Sequence, residues 1–212
     1  MEWFFRRPAE PSLPSDPSLP ETFIITSKDE KAGTVTIHCD NMAAGGTTIR
    51  CFLSPLDAMI EASRLAKPGE PLSVISVREI DRAAAKEPHP VFPIGCVHMA
   101  WLARQGRLLV RPIGTPEALA EPFRCQSCRG RLRFEVARST LDEIDTIYQR
   151  AGLYAWREAA ANIRRWSEAE RQEAVRIALR DMPVMQQDGT SYDQYALFDP
   201  EFRQWHFVPR DA

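Results

Sequence analysis

Lysine is scarce in this chain of 212 residues: only Lys28, Lys31, Lys67 and Lys86 stand among 27 basic residues. An excess of either charge is missing too, because 29 acidic residues leave a formal net charge of −2. A balance so near neutral excludes a wholly basic nucleic-acid binder and a polyacidic mimic. No stretch reaches the roughly 18 apolar residues of a membrane helix. The best candidate, Val91 to Ala103, is broken by Pro93, Gly95 and His98, so no membrane association is expected. The start is not a secretory signal either, since Trp3, Phe4 and Phe5 form a short apolar run that precedes its positive charges, Arg6 and Arg7. Five cysteines, an odd number in a chain long enough to fold without staples, point to reduced thiols and a cytoplasmic setting. Arginine over lysine fits a genome rich in G and C, hence the expectation of a bacterial source.

Catalytic signatures are also missing. The chain has no G-x-S-x-G, H-E-x-x-H, G-x-x-x-x-G-K or G-x-G-x-x-G. Of its four histidines, His89 lies between two prolines, and His98 shares a strand face with Cys96. Same-face neighbours on a strand sit beyond hydrogen-bond reach in most rotamers, so His98 reads as a buried, satisfied core residue. Asp142, Glu143 and Asp145 cluster at a helix start, where the helix dipole accounts for them.

What is present is a globular composition, 44% hydrophobic and 26% charged, enough to build a core. Pro8, Pro11, Pro14, Pro17 and Pro20 recur every third residue, the period of a polyproline II helix. Residues 1–20 therefore read as a Pro-rich N-terminal arm, and residues 21–212 as a single domain with a helical subregion at 140–182. Strands are expected at 22–26, 34–39 and 47–53, joined as an antiparallel meander. Ser54, Pro55 and Asp57 give cap, first-turn proline and first-turn acid for a helix to about Ala66. A strand at 71–77, a helical turn or two from Arg78, and a hairpin around Arg104-Gln105-Gly106 follow. Thr115-Pro116-Glu117 predicts a short helix closed by Pro122, with a strand from Gly130 to Ala137 after it. Thr140 to Glu143 and Ser167 to Glu170 both spell a capping box, and a closing hairpin spans Tyr192–Phe198 and Gln204–Val208. The fold class is α+β: an antiparallel sheet, an early helix, the helical segment near 140–182 and a C-terminal β-hairpin.

Cys125-Gln126-Ser127-Cys128 is the sharpest local motif. Two thiolates at this spacing can grip a zinc ion from a tight turn, or act as a redox pair. A tetrahedral site needs two more ligands, and no second C-x-x-C supplies them. Cys125 and Cys128 are the candidate metal ligands, and a zinc- or thiol-dependent enzyme or regulator centred on them is the alternative reading.

Charge and aromatic residues are unevenly spread. Residues 104–138 hold eight arginines against three glutamates, whereas residues 139–212 hold nine arginines against thirteen acids. The basic block has only Phe123 and Phe134 as aromatics, so no base-stacking platform is evident and nucleic acid is not the expected partner. The acidic C-terminal third collects most of the Trp and Tyr. Trp205, Tyr195, Tyr192 and Phe207, with Arg203 as companion, are the candidate partner-binding residues. The sequence thus points to a non-catalytic interaction protein of the bacterial cytoplasm, an accessory or toxin-neutralising, immunity-type partner. No cofactor is expected beyond the zinc of the alternative reading.

Overall fold

The computed structural model describes residues 3–5, 21–29, 34–41, 47–79, 94–112, 114, 116–128, 131–134, 136–186 and 191–210. Their order is β1 (Trp3–Phe5), β2 (Phe23–Asp29), β3 (Thr34–Ile37), β4 (Cys39–Asn41), β5 (Thr47–Phe52), α1 (Pro55–Leu65) and β6 (Leu72–Ser76). A 3₁₀ turn at Val77–Glu79 follows, then β7 (Ile94–Arg104), β8 (Arg107–Val110), β9 (Ala118–Cys128) and β10 (Arg131–Phe134). The last third holds α2 (Arg138–Arg150), α3 (Trp156–Ile163), α4 (Glu168–Arg180), β11 (Val184–Gln186), β12 (Gln194–Asp199) and β13 (Gln204–Pro209). This is the α+β class, with a mostly antiparallel sheet. No helix among the described residues is long and apolar enough to cross a membrane.

The main path of the sheet runs β1, β3, β2, β5, β7, β12, β13. Local chemistry explains most of its turns. Gln105 and Gly106 both have positive φ, 51° and 70°, and tighten the link between β7 and β8 as a mirror-image two-residue turn does. Ser54 caps α1 by accepting the Asp57 amide at 3.4 Å, and Ser167 and Glu170 close a full capping box on α4. Trp3–Phe5 pairs with β3 as an added strand. The proline repeat beyond it lies outside the described residues.

β7 organises the interior. It runs parallel to β5 over Ile94–Val97 and antiparallel to β9, β8 and β12. Val97, Met99, Ala100, Trp101 and Ala103 are all buried, as expected of a strand covered on both faces. Between His98 and Ala100 the register with β9 slips by one residue. Such a bulge re-aims the side chains that follow. Val97 and Met99 join a core with Leu141, Ile144, Ile147 and Trp156 from α2 and α3. Trp101 and Ala103 join a second core with Leu56 and Ile60 from α1 and Val175 and Ala178 from α4.

Three local expectations are corrected. Where a short helix is expected at Thr115–Pro122, Ala118–Pro122 instead opens β9, with Pro122 opposite Cys96. β10 pairs only with Cys125–Cys128, so at Pro122 β9 has no β10 partner for the missing N–H to leave unmet. The start of α2 lies at Arg138, capped by Ala137 without a side-chain bond, in place of the Thr140 box. Asp145 does not sit in the first turn of α2; it ties α2 to α3, as described below.

Gly95 is required by close approach. A Cβ there would lie 2.3 Å from the Phe123 ring, and that ring is held edge-on against Phe134 at 5.4 Å. Gly95→Ala is expected to destabilise by about 1–3 kcal/mol, the cost of overpacking a filled core, read as a shift in the denaturant midpoint at constant slope.

Candidate functional site

A cleft of about 410 Å³ opens where α1, the α2–α3 loop and the β12–β13 turn meet. Each wall has a local cause. Gly152 takes a φ of 79°, the left-handed turn that ends a helix, and brings Leu153 and Tyr154 out beyond α2. α3 then starts at Trp156 and is clasped back to α2. The Trp156 indole donates to Asp145 at 2.9 Å. Arg157 forks onto the same carboxylate at 3.1 and 2.8 Å. Tyr148 stacks on the Trp156 ring with centroids 4.7 Å apart. The cleft wall is therefore preorganised by one carboxylate and two rings.

The floor comes from α1. Asp57 is 6% exposed, and Tyr148 donates its hydroxyl to the Asp57 carboxyl at 3.4 Å. Burial raises the Asp57 carboxyl to about 7, a rise partly offset by the Tyr148 hydrogen bond. Burial, then the charge and hydrogen bond of Asp57, push the Tyr148 hydroxyl well above the ordinary phenol range. These are the directions expected when two ionisable groups share a dry site.

The opposite rim is the β12–β13 turn. Asp199 accepts the amides of Glu201 and Phe202 at 2.8 and 3.2 Å, a side-chain-closed turn. Arg203 follows with a φ of 54°. This holds Phe202 outward, 74% exposed, while Tyr154 from the α2–α3 loop is 78% exposed. His206 Nε2 lies 3.4 Å from Asp199. Asp57, Asp199 and Glu201 all line the cleft, and among the described residues no Arg or Lys does. The starts of α1 and α3 also border it, each carrying a positive end worth roughly half a charge. Even with Asp57 partly protonated, Asp199 and Glu201 outweigh two half charges, so the cleft favours cationic or hydrogen-bond-donating groups.

The described lining of the cleft includes none of the residues proposed from sequence. Trp205 is half-buried, with its indole donating to the Ala178 carbonyl of α4 at 3.0 Å. Its ring meets Trp101 at 5.2 Å and Phe198 at 5.3 Å. Phe207 packs on the same core as Trp205, and Tyr195 on the other one. Tyr192 lies 5.8 Å from Tyr195 and under the Arg210 guanidinium at 4.6 Å. Arg203 is exposed at the hairpin turn. The hairpin does contribute to the cleft, through Phe198, Asp199, Phe202 and His206. Sequence reasoning passed over Asp57 and Tyr148. Asp57 reads as an ordinary first-turn helix acid, and no local signal announces a tyrosine 91 positions away above it.

Cys125 and Cys128 both lie in β9, with backbones opposite Phe134 and Arg131; their side chains are outside the described residues. Among the described residues no three His, Cys, Asp or Glu side chains gather as a metal site. His98 is buried as expected, but neither ring nitrogen has a hydrogen-bond partner. Its ring lies between Phe52 at 5.1 Å and Trp101 at 4.6 Å, while the Cys96 sulfur accepts from Thr48 at 3.2 Å. Compared with protein-family models, with curated proteins and with solved structures, the chain matches none.

Proposed function

We propose that this chain is a non-catalytic protein-interaction protein of the bacterial cytoplasm, of the accessory or toxin-neutralising kind, and that its partner docks at the cleft between the helical segment and the closing hairpin. One observation carries the reading. Tyr154 and Phe202, both large and more than 70% exposed, come from two different elements and line the same cleft. Tyrosine and other aromatics bury much area at low entropic cost and act as interface anchors. The acidic lining would steer a basic partner toward them. The ionisable groups at the floor and rim are engaged with each other: Tyr148 with Asp57, and Asp199 with its own turn and His206.

Tyr154→Ala and Phe202→Ala, made singly, are expected to change folding stability by less than about 0.5 kcal/mol, as exposed substitutions do. Each is expected to weaken partner binding by about 1–3 kcal/mol. Affinity capture from the native host, comparing parent and double variant by quantitative mass spectrometry, identifies the protein retained by the first and lost by the second. Calorimetry on that protein then measures the loss. Equal capture by both forms would remove the cleft from consideration as the docking site.

A further inference from the structure

We infer that the group received by the cleft is an organic cation, the guanidinium or ammonium of a basic side chain on the protein partner, with its charge toward Asp57 and Asp199 and its apolar stem along Tyr154 and Phe202. This rests on the cleft being the partner site and names what that site recognises.

The lining itself selects the guest. Among the described residues its ionisable groups at the rim and floor are the carboxyls of Asp57, Asp199 and Glu201 and the imidazole of His206, with no Arg or Lys. An anionic guest would meet three carboxyls at close range. A neutral apolar guest would strip water from the exposed Glu201 carboxyl at the rim without giving it a new partner, a costly outcome for polar groups. A cation answers both. It supplies N–H donors to the carboxyls, and aromatic faces attract it as well. Trp156 is less available for that contact, since Tyr148 stacks on it and Arg157 lies 5.1 Å from its centroid. Tyr154 and Phe202 are the exposed rings of the lining, and an arginine or lysine stem keeps its methylenes on apolar surface and its head on polar groups.

Charge on the guest also bears on the floor. Asp57 is held near half-protonated at neutral pH by burial. A cation beside it favours the carboxylate, so binding expels a proton and strengthens as pH rises through 7. The titratable groups around Asp57 are Tyr148 from α2 and Asp199, Glu201 and His206 from the hairpin. Protonated His206 would oppose a cation too, so the Asp57 contribution has to be isolated by substitution.

The experiment is a nuclear magnetic resonance titration of the full chain with three capped tripeptides, leucine–X–leucine, where X is arginine, citrulline or glutamate. Spermidine is the free-amine arm. The arginine peptide is expected to shift amides of residues 148–160 and 198–206, at least tenfold more tightly than the citrulline peptide, with the glutamate peptide silent. Asp57→Asn, nearly isosteric and still able to accept from Tyr148, is expected to weaken the arginine peptide at least fivefold and to reduce the gain in affinity between pH 6 and pH 8. Equal binding of arginine and citrulline, tighter binding of glutamate, or no shifts at millimolar peptide would overturn the inference. Spermidine binding more tightly than the arginine peptide would assign the site to free amines and overturn the partner source. If Tyr154 and Phe202 variants lose the partner while every cationic probe is silent, the docking site stands and its cation specificity does not.

Discussion

Trp205→Ala is expected to lower folding stability by about 3 kcal/mol, toward the lower end of the range for truncating a packed tryptophan because the ring is half-buried. Three contacts go at once. The ring leaves the edge of Trp101 and the side of Phe198. The indole N–H leaves the Ala178 carbonyl, which lies in the last turn of α4, where carbonyls have no partner further along the helix. An interior position is also opened beside Ala178 and Ala196, both fully buried. Phe202→Ala, three residues earlier in the chain, removes a ring that is mostly in water and is expected to be nearly neutral. Chemical denaturation of the two variants separates a packing aromatic from a presenting one on a single hairpin. Should Trp205→Ala unfold with the parent midpoint, the ring is not part of the core, and the hairpin becomes a candidate interface along its whole length.

The second large effect is a pH dependence that the parent protein hides. The buried Asp57 carboxyl titrates at about 7 instead of 3.8. Its folded value is raised, so its contribution to stability is fully present below pH 3.8 and is lost as pH rises toward 7. His98 is the mirror case. Burial first, and the charge of Arg50 second, lower it from 6.5 to about 3. Its folded value is depressed, so its contribution is present above pH 6.5 and is lost as pH falls toward 3. Each shift is about three units, on the order of 4 kcal/mol at full extent. Between pH 4 and 6.5 the folded state carries the extra proton on Asp57 and the unfolded state carries it on His98. The two slopes cancel.

Single substitutions unmask them. The stability of Asp57→Asn relative to the parent should grow by about 1.4 kcal/mol per pH unit from pH 4 to 7 and then level. The advantage of His98→Leu, which also removes two buried ring nitrogens lacking partners, should shrink by a similar amount per unit from pH 3 to 6.5. Urea denaturation at pH 4.5, 6 and 8 reads both. A pH-independent difference for either variant would mean that its side chain is hydrated in the folded protein.

Where a segment's structure follows from contacts within a few residues, it was legible in the sequence. Ser54, Pro55 and Asp57 start α1, Ser167 and Glu170 cap α4, and Gln105 and Gly106 turn β7 into β8. Caps and tight turns satisfy backbone groups with neighbours in the chain, so the local residues suffice. The same reasoning misread Thr115-Pro116-Glu117. A cap and a proline are present there, but Glu117 bonds to Leu109 and Leu102 and Ala118–Arg124 continues as a ladder on β7, and pairing prevails over a weak local preference.

The candidate site shows the same division more sharply. Its hairpin wall was expected from the tail sequence, and so was the gathering of acids and aromatics in the last third. Which ring faces water was not. Trp205 and Phe202 are equally good anchors on paper, and only the packing of β13 against α4 separates them. Asp57 carries no mark in its neighbours beyond that of a first-turn acid. Its burial, its proton and its place in a cleft come from Tyr148, brought above it when α2 and α3 clasp over the sheet. A strand's period assigns faces, yet one bulge at Met99 exchanges them between two cores. Sequence by itself determined the class of fold and most helix starts and tight turns, because caps and turns are closed by neighbours in the chain. Tertiary structure decided burial, protonation and the cleft, because these depend on which distant surfaces exclude water together.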